Sequence, residues 1–207
     1  MNKSKLVVVL TLALGAAAVR AEAQVAEVSL GVGGANVSGG YETWSFGVHS
    51  PALDARANVR LSDRFSIEPF VTYGRRSIPA TAWAPYAVGA DSQRTEGMYG
   101  VVVHQRLRSL SRSGFSSYLS YGLNGTYFKL NTPERQFVYG PRNIYTQPAY
   151  TLDQTDPMIL PSVGFGIRKS LGNHLAVRAD ADMITFFGMP VGGRASVGVV
   201  VPIGANK

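Results

Sequence analysis

Apolar and polar residues alternate in short segments along most of the chain. In the clearest segment, Leu53, Ala55, Ala57, Val59 and Leu61 alternate with Asp54, Arg56, Asn58 and Arg60. Alternation with a period of two predicts a β-strand with one apolar and one polar face. Residues typical of turns separate such segments, which lie near 26–37, 52–61, 65–76, 95–107, 115–129, 157–169, 174–186 and 193–203.

The connections between these predicted strands differ in length. Short turns join the second strand to the third, the fourth to the fifth and the sixth to the seventh. Longer connections near 38–51, 77–94 and 130–156 lie between them, and the last connection, near 187–192, is short. Transmembrane barrels have tight turns at one end and longer loops at the other. The pattern therefore predicts an all-β fold, an eight-stranded antiparallel up-and-down barrel that spans a membrane.

Aromatic residues near the predicted strand ends agree with this arrangement, because such rings favour the two membrane interfaces. On the long-loop side they are Tyr41, Trp44, Phe46, Tyr73, Tyr99, Tyr127, Phe128, Phe186 and Phe187. On the short-turn side they are Phe65, Phe115 and Tyr118.

The N-terminus has the three parts of a secretory signal. Lys3 and Lys5 supply positive charge, residues 6–19 form an apolar run, and residues 21–23 read Ala-Glu-Ala, a small-x-small cleavage site. The run is too short for a spanning helix, which needs about twenty apolar residues. We therefore expect a signal peptide over residues 1–23 and one barrel domain over residues 24–207.

Composition narrows the function. The 207 residues carry a formal net charge of +7, but their basic side chains are scattered, which argues against a nucleic-acid partner. The chain has no cysteine, so it cannot be a lipid-anchored lipoprotein. Its three histidines, His49, His104 and His174, do not form a metal motif. We expect no metal and no other cofactor.

Alternation alone fits two orientations of the strands. In a soluble, exported, lipocalin-like barrel, the face with Leu53, Val59 and Val177 would line a ligand cavity. In a membrane barrel the charged face would instead point inward. That face carries Asp54, Arg56, Arg60, Glu68, His104, Arg106, Arg168, Arg178, Asp180, Asp182 and Arg194.

An eight-stranded barrel encloses only enough space for its own side chains. An unpartnered charge buried there is costly, so these side chains must form ion pairs. We therefore expect a filled barrel with an interior charge network rather than a conducting porin.

The last predicted strand contains the pattern Ser196-x-Gly198-x-x-Val201-x-Ile203. With the architecture above, it resembles the small eight-stranded outer-membrane barrels, the family of OmpX and the OmpA membrane domain. In that family the pattern is an assembly signal that commonly ends on an aromatic residue, whereas here it ends on Ile203. The resemblance implies an integral protein of a Gram-negative outer membrane, inserted by the barrel-assembly machinery and surrounded by lipid and lipopolysaccharide.

Two enzymes of similar architecture are the alternatives to a non-enzymatic barrel. Lipid A palmitoyltransferase pairs a His in its first outer loop with an Asp-Ser in its second, where this chain has His49 and Asp91-Ser92. The amphipathic helix that precedes its first strand is missing here. Lipid A deacylase would need a serine two residues after His104, where this chain has Arg106. We therefore expect no enzymatic activity.

The connection over residues 130–156 has the composition of a recognition surface. It combines prolines with tyrosines and arginines, which are frequent binding hot spots. We expect that any surface partner binds there.

Overall fold

A computed structural model describes residues 26–37, 50–82, 86–110, 114–140, 143–172, 174–186 and 189–203. These residues form eleven β-strands and one 3-10 turn, Ala80–Ala82. The strands are β1 (Ala26–Val37), β2 (Ser50–Arg60), β3 (Phe65–Ile78), β4 (Ala87–Gly89), β5 (Ser92–Leu110), β6 (Phe115–Thr132), β7 (Arg135–Val138), β8 (Ile144–Gln147), β9 (Tyr150–Ser170), β10 (Ala176–Phe186) and β11 (Met189–Ile203).

Eight strands form a closed barrel in the order β1-β11-β10-β9-β6-β5-β3-β2. Each neighbouring pair is antiparallel, and β1 closes the sheet by pairing with both β2 and β11. All eight predicted strands are present, so the predicted fold class is confirmed. Among the described residues, no helix is both long and apolar enough to cross a membrane.

The long-loop end differs from the expectation. Strand β9 begins at residue 150, seven residues before its predicted start, and β5 and β6 extend three residues beyond their predicted ends, to residues 92 and 132. The connection predicted over 130–156 therefore contains strand rather than only loop. Within it, β7 and β8 pair with each other, and β4 pairs with β7, to form a separate three-stranded sheet. Side-chain alternation did not reveal these extensions, because backbone hydrogen bonds hold a ladder together even where the side chains are polar.

The two faces of the barrel are clear from exposure. Leu53 is 64% exposed, whereas its neighbours Ala52 and Asp54 are buried. The soluble ligand-binding alternative required the opposite orientation and is wrong. That alternative also placed Val59 and Val177 in the cavity. Val59 is buried and Val177 is half-buried, but both lie in the same outward register as Leu53.

An apolar layer fills the barrel between two groups of charged side chains. Its members come from five strands and are Ala52, Phe70, Met98, Val102, Leu160 and Ile184. Glycines lie opposite large aromatic rings where strands pair. A Cβ at Gly166 would come within 2.3 Å of the Tyr118 ring carbons, so only glycine leaves room for that ring.

Candidate functional site in the barrel interior

Arg178, on β10, is the centre of a buried charge network. Its guanidinium donates to both oxygens of Asp180, at 2.8 Å from Nε to Oδ2 and from Nη2 to Oδ1. It also donates to both oxygens of Glu68, with 3.1 Å between Nη2 and Oε1. Forked contacts of this kind fix orientation as well as distance. They link β10 to β3 across the interior.

Arg56 extends this network to β2 and β11. Its Nε donates to Asp54 Oδ2 at 2.9 Å, and its Nη1 lies 3.0 Å from Asp180 Oδ2. The same Nη1 lies 3.4 Å from Glu68 Oε1, and Nη2 donates to Ser196 Oγ. One guanidinium therefore contacts carboxylates from three strands.

Arg194 forms the boundary between the network and the apolar layer. Its Nε donates to Asp182 Oδ2 at 2.8 Å, and its Nη1 lies 4.0 Å from Asp54 Oδ1. Its Cζ lies 3.5 Å from the centre of the Phe70 ring, a cation–π contact. Ser120 donates to the other oxygen of Asp182 at 2.5 Å.

Tyr118 and His104 cover the network on the short-turn side. Their rings are stacked, with centroids 4.5 Å apart, and the Tyr118 hydroxyl donates to Asp180. His104 Nε2 lies 3.7 Å from Glu68 Oε1. The prediction that Tyr118 belongs to an aromatic girdle is wrong. It shares the inward register of β6 with Ser120, and both are buried.

A second buried group lies nearer the long-loop end. Arg94 Nε donates to Glu96 Oε2 at 2.8 Å. Arg135, on β7, is only 2% exposed and donates from Nη2 to Ser92 Oγ. Ser92 in turn donates to Thr132 Oγ1 at 3.2 Å. A strand outside the barrel wall thereby supplies a side chain that closes this end.

Charges of the two signs balance among the buried residues that the structure describes. The five buried arginines are Arg56, Arg94, Arg135, Arg178 and Arg194. The five buried carboxylates are Asp54, Glu68, Glu96, Asp180 and Asp182. His104 is buried with them. Attraction between these opposite charges offsets part of the cost of removing them from water.

Three arginines predicted for this network lie outside it. Arg60 pairs with Asp63 in the turn after β2, and Arg168 donates to Glu27 at 2.7 Å. Arg106 is exposed, next to a shift in the register of β5 against β6. These strand ends lie where the barrel opens to solvent, so water competes with the interior carboxylates.

Sequence reasoning missed Arg94, Glu96 and Arg135. Continued alternation would have found the first two, because they share the inward register of β5 with His104. No local signal indicates Arg135, because β7 lies outside the barrel and its direction depends on how the loop folds back.

The structure describes only part of the residues considered for the acyltransferase alternative. Ser92 is fully buried and forms hydrogen bonds with Arg135 and Thr132, so it is not the exposed loop serine of the acyltransferase alternative. His49, its proposed partner, lies outside the described residues. Within the described part of the chain, no group of three or more His, Cys, Asp or Glu residues could hold a metal ion.

The three-stranded sheet presents aromatic side chains to solvent. Tyr86 and Tyr139 have ring centroids 4.6 Å apart, and Phe137 lies between Tyr86 and Tyr145 at 6.4 and 6.1 Å. A hydrogen bond with Tyr86 raises the pKa of Tyr139. The exposed apolar side chains beside them are Val88, Val138 and Ile144.

The predicted C-terminal pattern lies on β11 with its residues on both faces. Ser196 is buried and accepts a hydrogen bond from Arg56, and Gly198 pairs with Gly31 of β1. Val201 and Ile203 are exposed on the outer face. Recognition of this strand during assembly stays a prediction.

The predicted aromatic girdles are present in part. Phe65 is exposed at the start of β3, and Tyr73 is exposed further along the same strand. Phe128 lies in the interior, where its ring centre is 5.0 Å from Arg94 Cζ. Tyr41, Trp44, Phe46 and Phe187 lie outside the described residues.

A closed antiparallel barrel with an apolar outer face and a charged, side-chain-filled interior defines a class, the small transmembrane β-barrels. A family model described as an outer membrane protein beta-barrel domain matches residues 6–201. The chain belongs to this family, which confirms the resemblance to the small outer-membrane barrels. A comparison with curated protein sequences gives no significant match.

Several solved structures share this fold, and two of them illustrate the similarity. Ail, the attachment invasion locus protein of Yersinia pestis, is 9% identical, with a TM-score of 0.50 over 86% of this chain and 98% of Ail. A major outer membrane protein from Thermus thermophilus is 11% identical, with a TM-score of 0.53 over 86% of this chain and 99% of that one. At these identities, the similarity concerns the fold alone.

Proposed function

We propose that this protein is an integral, non-enzymatic barrel of a Gram-negative outer membrane, and that it contributes to envelope integrity as a sealed element of the bilayer. The observation that carries the proposal is the filled interior. Paired charges, an apolar layer and the Arg135 contact with Ser92 follow one another along the barrel axis. Side chains therefore occupy the space that water would fill in a channel.

Purified protein in planar bilayers should therefore show no stable, large conductance. Water and ions would have to displace the Arg178 forks and the apolar layer, and both are held in place by several strands. Single-channel recording at both polarities is the measurement. Steady nanosiemens-scale openings would show that the barrel conducts and would make a channel the better function.

The proposal also assigns an orientation and a set of partners. The short-turn end faces the periplasm and the sheet of β4, β7 and β8 faces outward, surrounded by lipid and lipopolysaccharide. The barrel-assembly machinery inserts the chain after a signal peptide over residues 1–23 is removed. Exposed aromatic rings on the outer sheet support a role for segment 130–156 in binding a surface partner.

Single cysteines can test this orientation, because the chain has none of its own. Tyr145→Cys places a thiol on the exposed outer sheet, and Asp63→Cys places one in the turn between β2 and β3. A membrane-impermeant maleimide should label residue 145 on intact cells and residue 63 only after the cells are broken. Labelling in the reverse order would contradict the orientation, and with it a surface role for this sheet.

A further inference from the structure

A cavity opens at the short-turn end of the barrel, below the stacked rings of His104 and Tyr118. Its volume is about 130 Å³, and it is continuous with solvent. Side chains of β1, β2, β3, β5, β6, β9 and β10 form its walls, and the turn after β2 lies at its rim. It adjoins the buried charge network at Arg178, and Asn58, His104 and Tyr118 contact both the cavity and the network.

Arginine dominates the walls of this cavity. Arg60, Arg64, Arg106 and Arg168 line it, and among the described residues its only carboxylates are Glu27 and Asp63. Arg178, at its inner end, is already matched by carboxylates of the network. The lining therefore has two more positive charges than negative charges.

Two of these arginines have side-chain N–H groups without an acceptor among the described residues. The side chain of Arg106 forms no hydrogen bond or ion pair with any residue that the structure describes. Arg168 donates from Nη2 to Glu27, but its Nε is buried and has no partner among the described residues. A buried N–H group without a partner is costly. The side chain of Arg106 therefore presents free donors to the cavity, and Arg168 lines the same cavity with one N–H group unsatisfied.

These features suit one class of ligand. Guanidinium groups bind phosphate through paired N–H donors, and a dianion would neutralise the excess of two positive charges. The wall also offers small polar side chains, Ser66, Ser116 and Asn58. We propose that this cavity binds a phosphate group, which belongs either to a soluble phosphate compound or to the headgroup of a phospholipid in the adjoining leaflet.

The test titrates inorganic phosphate into the refolded full barrel domain in a non-ionic, phosphate-free detergent and follows the heat of binding. We expect saturable binding to one site. Arg106→Gln should weaken it about tenfold, the usual loss for one charge-assisted hydrogen bond. Arg64→Gln changes a residue at the exposed rim and leaves the barrel wall intact. It should also weaken phosphate binding.

The matched control is Arg75→Gln, which removes an exposed arginine from the opposite end of β3. It should leave phosphate affinity unchanged. A second titration, after adding short-chain phosphatidylglycerol to the micelles, separates the two sources. Competition with inorganic phosphate indicates a lipid headgroup, and its absence indicates a soluble phosphate.

Two results would overturn the proposal. One is the absence of saturable binding for both inorganic phosphate and the lipid. The other is equal weakening by Arg75→Gln and by the cavity variants, which would indicate general attraction to a basic protein.

Discussion

Each buried charge in this barrel depends on residues that are distant in sequence. Glu68 illustrates this: it is fully buried and accepts hydrogen bonds from Arg56, Asn58 and Arg178. Its contribution to stability is therefore mainly that it neutralises the buried arginines beside it. Those contacts also hold three strands at fixed distances, since Arg56 is on β2 and Arg178 on β10.

Glu68→Gln keeps the shape of this side chain and removes its charge. We expect it to destabilise the barrel by about 3–5 kcal/mol, the range for breaking one partner of a buried ion pair. The midpoint of urea unfolding in detergent or lipid, followed by the loss of the compact form on an unheated gel, measures this effect.

Glu134→Gln is its control, because the same change is made on an exposed residue. It should alter stability by less than about 0.5 kcal/mol. A Glu68→Gln variant as stable as the control would mean that the network does not hold the strands together.

At the scale of the element, the alternation along each strand separates two environments. On β11, Val197, Val199 and Val201 face outward, while Arg194 and Ser196 are buried. In an outer-membrane barrel the outward side chains contact lipid. Strand β11 therefore has an apolar outer face suited to the bilayer and a polar inner face suited to the network.

Val199→Arg tests the lipid-facing assignment on β11, where Val199 pairs with Leu30 and Val177. Arginine on the lipid face near the bilayer midplane costs about 2–4 kcal/mol in barrels of this type. We expect a corresponding fall in folding into lipid vesicles, measured as the fraction of folded protein. Val199→Leu should fold as well as the parent chain, and equal folding of the arginine variant would place residue 199 away from lipid.

At the scale of the whole molecule, closure is the defining property. Pairing of β1 with β11 over twelve positions leaves no open edge in the barrel sheet. Every backbone donor and acceptor along these strands can then be satisfied within the membrane. The three-stranded outer sheet keeps its edges, because β4 and β8 each pair on one side only.

Two deletions of equal length should separate these roles. Removing residues 193–203 takes away most of β11 and opens the barrel, so the unheated and heated forms should migrate identically on a gel. Removing residues 136–146 affects only the outer sheet, so the faster-migrating unheated form should persist. Loss of that form in the second deletion would show that the outer sheet is needed for closure.

The sequence by itself determined the number, order and faces of the barrel strands. Alternation such as that of residues 52–61 follows from local backbone geometry, because successive side chains of a strand point to opposite sides. The alternation of long and short connections is also visible along the sequence, and it indicated a membrane barrel. Because such a barrel has its apolar face toward lipid, this also indicated that the charged face points inward.

Only the tertiary structure decided which charges meet. Arg178 and Glu68 are 110 residues apart, and their pairing depends on barrel register and curvature. The same holds for Arg135, which reaches the interior from a sheet outside the barrel, and for Arg106, which remains at an open end. Sequence patterns record the environment of a single strand, whereas these contacts depend on distances between strands that no local pattern contains.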